Sequence, residues 1–300
     1  DHVVALNAHR ILAEIAAFDV LGAVQCSDTG RPKRTLWSNK DLTLPMFQYD
    51  TLQMTAGNPT ELIANLKEAM NGSSTVTGCG HTAAGLAASC SSRAEVLDAL
   101  LKYGIVVIQN VPCESCEVQR FTTSLVGHVR DTHWGAVFDV KVQTRAFADK
   151  SYSSEPIDLH CDSPYRIPAV DFQVLHCLLS AGCAADEGVN RFVDAVHCAE
   201  ILRQTDVEAF ELLCKVPLKW ENDLPLARLQ PTFELDATKK TVERVFISSK
   251  SGGYAPPLPP AELEEFYTAK RKFMSLLESP ENVLRHSLLP GELVMFVNTR

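Results

Sequence analysis

No apolar run in the 300 residues reaches the ~18 needed to cross a bilayer as a helix, so a membrane span is not expected. Positive charge is also short. Lys and Arg number 28 against 37 Asp and Glu, a formal net charge of −9, which argues against a nucleic-acid partner held through its phosphates. There is no Gly-rich phosphate loop and no Gly-x-Ser-x-Gly elbow, so nucleotide binding and serine hydrolysis have no support. A basic stretch followed by an apolar one, the mark of a signal peptide, is missing too. Internal repeats are not found. Cysteine is plentiful, with 10 residues, but they are spread without a compact framework, and several sit in apolar stretches such as those around Cys177 and Cys214. Buried free thiols in a reducing, intracellular compartment are the simplest expectation.

The remaining pattern is that of an ordinary globular protein, with 46% hydrophobic and 22% charged residues. Residues 1–40 read as a mixed lead-in, and 41–300 as one larger domain. Within it, residues 71–91 are rich in Gly, Ser, Thr and Ala and read as a flexible insertion. Ser92-Arg-Ala-Glu95 has capping-box spacing, and Ala94, Val96, Leu97, Leu100 and Leu101 continue as a helical stripe that Gly104 can close. Residues 105–111 read as a buried strand. Helices are expected near 114–126, over 195–204 and 207–214, and over 260–278. Short strand-type segments fall between 134 and 180, at 232–235, at 242–247 and after the Pro290-Gly291 turn. Short antiparallel strands with helices outside predict an α+β fold built on a double-stranded β-helix, or jelly roll.

The strongest chemical signal is Ile157-Asp158-Leu159-His160-Cys161-Asp162-Ser163-Pro164. On a strand, residues two apart share a face, so the His160 imidazole and the Asp162 carboxylate are expected to point the same way. One histidine and one carboxylate are two of the three donors of a 2-His-1-carboxylate iron centre, which leaves positions open on Fe(II) for cosubstrate and oxygen. The competing reading is a surface histidine and an aspartate that caps the turn before Ser-Pro. The pair alone does not decide between them.

Its surroundings do. His160-Cys-Asp162-Ser-Pro-Tyr165-Arg166-Ile-Pro168, followed by Phe172-Gln-Val-Leu-His176-Cys177, resembles the butyrobetaine and trimethyllysine hydroxylases, which are iron(II)/2-oxoglutarate dioxygenases related to TauD. Phe192-Val-Asp194 with Ala199-Glu200-Ile-Leu-Arg203 is similar to the family's V-D-G-F-x-x-A-E-x-L-R. Glu208-Ala-Phe-Glu-Leu-Leu-Cys-Lys-Val-Pro217, Phe266-Tyr267-Thr-Ala-Lys-Arg-Lys-Phe273 and Leu289-Pro-Gly-Glu-Leu-Val-Met-Phe-Val-Asn298-Thr-Arg300 continue the likeness in order, over roughly residues 100–300.

The resemblance implies Fe(II) on His160 and Asp162, 2-oxoglutarate and O₂ as cosubstrates, ascorbate as reductant, and hydroxylation of a small quaternary-ammonium substrate such as γ-butyrobetaine. Leu175 and Asn190 match cosubstrate-binding positions. Asn190 stands where relatives have a hydroxyl, and an amide still donates a hydrogen bond. The second iron histidine and an arginine for the distal carboxylate of 2-oxoglutarate are expected beyond Arg300. At the other end, His2 matches a zinc histidine, so residues 1–40 are expected to be the remnant of a zinc-binding module, and the chain a piece cut at both ends. A possible homodimer in cytoplasm or mitochondria follows from the same likeness.

A trimethylammonium group has no proton to donate and is held by aromatic faces. The positions that match the family's cage are Trp134, Phe138 and Tyr152, with one residue inserted before Tyr152. Packing of aromatics on adjacent strands is the plainer alternative. Asp149 replaces an asparagine, Ser248-Ser249 replace an Asn pair, and Val297 replaces an aspartate. A carboxylate at 149 would repel the carboxylate of a substrate. Cys113-Glu-Ser-Cys116 has C-x-x-C spacing but no second pair, so a zinc or redox role is the weaker expectation. The rivals to an enzyme are an inactive relic and a jelly-roll betaine-binding module.

Overall fold

A computed structural model describes residues 2–6, 34–52, 83–132, 134–141, 156–180, 188–222 and 226–300. In chain order the first elements are β1 (His2–Leu6), β2 (Met46–Gln48), α1 (Ala83–Tyr103), β3 (Ile105–Gln109), α2 (Glu117–Val126), β4 (Phe138–Asp139) and β5 (Phe172–His176). Then come β6 (Asn190–Val193), α3 (Ala195–Thr205), α4 (Val207–Lys215), β7 (Leu218–Glu221), β8 (Ala227–Gln230), β9 (Phe233–Leu235) and β10 (Val242–Val245). The last are β11 (Gly252–Tyr254), α5 (Pro260–Glu278), β12 (Val283–His286) and β13 (Leu293–Val297).

A six-stranded sheet in the order β2-β3-β13-β5-β1-β4 forms the centre. Alternation along each strand divides it into two faces. Val106 and Ile108, Leu293 and Met295, and Phe172 and Val174 form one face and pack with Leu97 and Leu100 of α1 and with Val118 and Phe121 of α2. Ile105 and Val107, Val294 and Phe296, and Leu175 form the other, against Phe192 of β6 and Leu284 of β12. The β6–β12 ribbon therefore lies over this second face, and the molecule is a mixed helix-and-sheet fold.

A third cluster joins α3, α4 and α5 to Trp220, Phe246 and Phe233, whose ring lies 5.2 Å from Phe210 and 4.7 Å from Phe273. Sheet β11-β7-β8 and the pair β9–β10 complete the described strands.

Among the differences from the sequence reading, two concern the first elements of the chain. Helix α1 starts at Ala83, inside the stretch expected to be a flexible insertion. The run Ala83-Ala-Gly-Leu-Ala-Ala88 is rich in the best helix former, which outweighs its single glycine. Residues 2–6, expected at the edge of a separate module, form β1 in the central sheet, with His2 opposite His176 on one side and Asp139 on the other. The run His-Val-Val-Ala-Leu has the apolar, β-branched character of a buried strand.

Helix α1 closes at Gly104, which adopts φ 79° and donates to the Leu100 carbonyl at 2.8 Å. A side chain here would meet Arg300, since an added Cβ falls 2.6 Å from Arg300 Cδ. Gly104→Ala is expected to destabilise the fold by about 2–4 kcal/mol, from left-handed strain plus overpacking. Urea unfolding checks this; an unchanged midpoint would mean that Arg300 moves freely aside.

Candidate active site

His160 and Asp162 lie between Pro156 and Pro164 in irregular chain, not on the strand expected for them. The segment is held from outside. Cys161 N–H donates to the Ile247 carbonyl at 2.7 Å. The Asn298 amide brackets Asp162, accepting from its N–H at 2.7 Å and donating to its carbonyl at 3.0 Å. Asn298 also donates to the Val170 carbonyl at 2.7 Å, so it ties both ends of the 162–170 loop to the end of β13. Ser163, with φ 54°, turns the chain away directly after Asp162.

The expected convergence is reached by this different route: His160 Nε2 stands 3.2 Å from Asp162 Oδ1. His160 Nδ1 lies 2.7 Å from the Asp158 carbonyl, an acceptor, so Nδ1 carries the proton there. That leaves Nε2 on the side facing Asp162, where it donates to the carboxylate while protonated and has the orientation a metal-ligating histidine needs once that proton is lost. Gln173 Nε2 donates to Asp162 Oδ2 at 2.7 Å and fixes the carboxylate plane.

Burial disfavours charge on both groups, but their mutual hydrogen bond and attraction outweigh it. The His160 imidazolium therefore persists above the usual histidine range, and Asp162 falls to about 2, with help from Gln173 and from the positive charge of Lys250. The donor set suits a hard or borderline divalent ion such as Fe(II). Among the described residues, however, no group of three His, Cys, Asp or Glu side chains is placed to hold a metal. The pair offers two donors, one nitrogen and one oxygen.

Gln173 and Asn298 stand within the motifs that carry the likeness, with no chemistry of their own at the metal. Both act through Asp162, and neither shows itself until β5 and β13 are seen to flank the loop. Gln173→Leu keeps the volume and removes the bond to Oδ2. It is expected to weaken metal binding by about 10–100-fold, read by competition with a metal-sensitive dye. Unchanged affinity would show that the carboxylate is oriented without it.

Leu175 lies on the same face of β5 as Gln173, opposite Val294, while Gln173 stands opposite Phe296. Asn190 shares a face of β6 with Phe192, whose ring meets Phe296 edge-on at 5.5 Å. Leu175 and Phe192, the neighbour of Asn190 on its strand face, both pack against the cluster between β5, β13 and the β6–β12 ribbon. Of the expected cage residues, Trp134 and Phe138 are tilted neighbours with ring centroids 5.9 Å apart, and Trp134 is 47% exposed. Tyr152 and Asp149 lie outside the described residues.

Residues 80–300 match the family model described as taurine catabolism dioxygenase TauD, TfdA family. The chain belongs to this family. Trimethyllysine dioxygenase of Meyerozyma guilliermondii is 29% identical over 66% of this chain and 50% of its own length. γ-Butyrobetaine dioxygenase of a Pseudomonas species is 28% identical over 69% of this chain and 53% of its own length. The chain thus spans about half the length of the curated relatives it matches. In fold it is similar to an asparagine oxygenase solved with Fe(II), 3-hydroxyasparagine and succinate, with TM-score 0.55, 14% identity and 85% coverage of each chain.

In this member of the TauD/TfdA family the other candidates are placed as follows. Cys113 and Cys116 are exposed at the start of α2 and form no disulfide. Cys161, Cys177 and Cys198 are buried free thiols, and burial pushes Cys161 and Cys198 up to about 12, so they are inert as nucleophiles. His176 is fully buried in β5. The backbone N–H of His197 donates to Asp194, a helix-capping role. No helix among the described residues is long and apolar enough to cross a membrane.

Proposed function

We propose that this chain is the catalytic part of an Fe(II)- and 2-oxoglutarate-dependent dioxygenase that hydroxylates a small quaternary-ammonium compound of the γ-butyrobetaine type, on a double-stranded β-helix core. The observation that carries this reading is the 3.2 Å approach of His160 Nε2 to Asp162 Oδ1, with Nδ1 committed to the Asp158 carbonyl. His160 and Asp162 would hold the metal. When bound, iron with 2-oxoglutarate and O₂ supplies the oxidising chemistry that inserts a hydroxyl and releases succinate and CO₂.

The protein's own residues do the rest. Gln173 and Asn298 fix Asp162, and Leu175, Phe192 and Phe296 wall the cosubstrate space. The third ligand is proposed to follow Arg300. Asn298 already touches Asp162, and three more residues reach at most about 10 Å from Arg300, which keeps a ligand at the third position within range of the pair.

Trp134 and Phe138 are proposed as two walls for the trimethylammonium head. Trp134→Ala is expected to raise KM for the quaternary-ammonium substrate about 5–30-fold, the range of a partly desolvated cation–π contact, with kcat little changed. The test of the whole reading is succinate formation by the full-length protein with Fe(II), ascorbate and 2-oxoglutarate, comparing γ-butyrobetaine, trimethyllysine and no substrate. Stimulation by γ-butyrobetaine is expected. Preference for trimethyllysine keeps the dioxygenase and moves the substrate, whereas turnover indifferent to every quaternary ammonium contradicts the substrate class.

A further inference from the structure

Of the described thiols, those of Cys113 and Cys116 alone are exposed, and both are free. They flank the entry to α2, and the whole stretch 113–116 is exposed. Cys116 is the N-cap of the helix, but its side chain makes no capping hydrogen bond. Two short-range bonds draw the chain in on itself here. Glu114 N–H donates to the Pro112 carbonyl at 2.8 Å, and Glu117 N–H donates to the Glu114 carbonyl at 3.1 Å. Residues three apart around a turn have Cα atoms within about 7 Å, and a disulfide needs about 4.4–6.8 Å. The two cysteines stand one residue ahead of the 114–117 turn, so joining them asks only for a shift of the exposed Glu114-Ser115 linkage. No core side chain lies in that linkage.

On its inner side Cys113 lies over Gly291, where an added Cβ would stand 3.9 Å from the Cys113 sulfur. Gly291 N–H in turn donates to the Cys177 carbonyl at 2.9 Å. Burial pushes the Cys177 thiol up, and nearby Cys113 adds to the rise. Cys177 is thus a neighbour of Cys113 that lies below the surface.

A C-x-x-C pair suits a metal or a redox couple. Among the described residues no third His, Cys, Asp or Glu is placed to complete a metal site. The nearest buried carboxylate, Glu117, is committed to Tyr49 Oη at 2.6 Å and Arg120 Nε at 2.8 Å. Two accessible thiols with no third donor leave the redox couple. We infer that Cys113 and Cys116 form a redox-active dithiol that exchanges with a small-molecule disulfide of the glutathione type. One protein thiolate attacks a sulfur of the small disulfide, forms a mixed disulfide and releases one small thiol. The other protein thiolate attacks the protein sulfur of the mixed bond and releases the second. The protein pair gives up two electrons and two protons, and the small disulfide leaves as two thiols. The dithiol sits at the Gly291 end of β13, while Asn298, which clamps Asp162, follows the other end, about 20 Å along the strand. The inference is therefore independent of the dioxygenase reading.

The test is incubation of the full-length protein in buffers of varied reduced and oxidised glutathione, acid quenching, alkylation with N-ethylmaleimide, and mass spectrometry of the peptide that carries both cysteines. In oxidising buffer the wild-type peptide is expected to lose two hydrogens and take up no alkylating agent, and to regain both thiols with dithiothreitol. Cys113→Ser and Cys116→Ser are each expected to stop at one bound glutathione, a form that the wild type does not accumulate. Glutathione held on both cysteines of the wild type, a bridge from Cys113 to Cys177, or two thiols still alkylated in the most oxidising buffer would each overturn the inference.

Discussion

His160→Ala and Asp162→Ala are each expected to lower 2-oxoglutarate turnover by the full-length protein roughly 1,000-fold or more, well beyond the 10–100-fold expected of a residue that only supports a ligand. Each variant removes one of the two donors that the structure brings together and leaves the other without its 3.2 Å partner. The fold should survive. The loop is held by backbone bonds to Ile247 and Asn298 that neither substitution touches. Succinate release is the readout, with far-ultraviolet circular dichroism as the check on folding. A folded Asp162→Ala protein with near-normal turnover would place the chemistry elsewhere.

The largest effect on stability is expected from the buried pair Arg300–Asp194. Their side chains are 3% and 0% exposed, and Nη2 stands 2.8 Å from Oδ2. Arg300 also donates to the carbonyls of Lys102 and Thr35, and Asp194 accepts from the N–H groups of Trp37 and His197. The pair therefore ties the segment before β2, the end of α1, the start of α3 and residue 300 into one knot. Removing one partner strands the other charge in the interior, which costs about 3–5 kcal/mol. Arg300→Met and Asp194→Leu are each expected to unfold at lower urea by that amount. The double variant Arg300→Met/Asp194→Leu should recover part of the loss, because no lone charge is then buried. Additive losses in the double variant would mean that the pair is not coupled.

Long elements were legible because their signal is local. Pro260–Glu278 was read with its observed ends, and Ala195–Thr205 and Val207–Lys215 within a residue. The apolar runs of β3, β5 and β13 announced central strands. The short strands β7, β8, β11 and β12 were not foreseen, since three or four residues such as Gly252–Tyr254 carry too little alternation and exist only by pairing with distant chain. At the candidate site, spacing and motif single out His160 and Asp162, and the structure brings the two together, but not through the shared strand face expected of them. The pair converges in a loop clamped by Asn298 and Ile247. Residues whose role is to hold others, such as Gln173, Asn298 and Asp194, carry no signature of their own, because their partners are brought to them only by the fold.

The central claim is that His160 and Asp162 form an iron site, and the measurement that meets it most directly is metal content. Full-length protein is reconstituted anaerobically with Fe(II), passed through a desalting column, and assayed for iron alongside the His160→Ala and Asp162→Ala variants. About one iron per chain is expected in the wild type and close to none in either variant. Equal iron in all three, or none in the wild type, would contradict it.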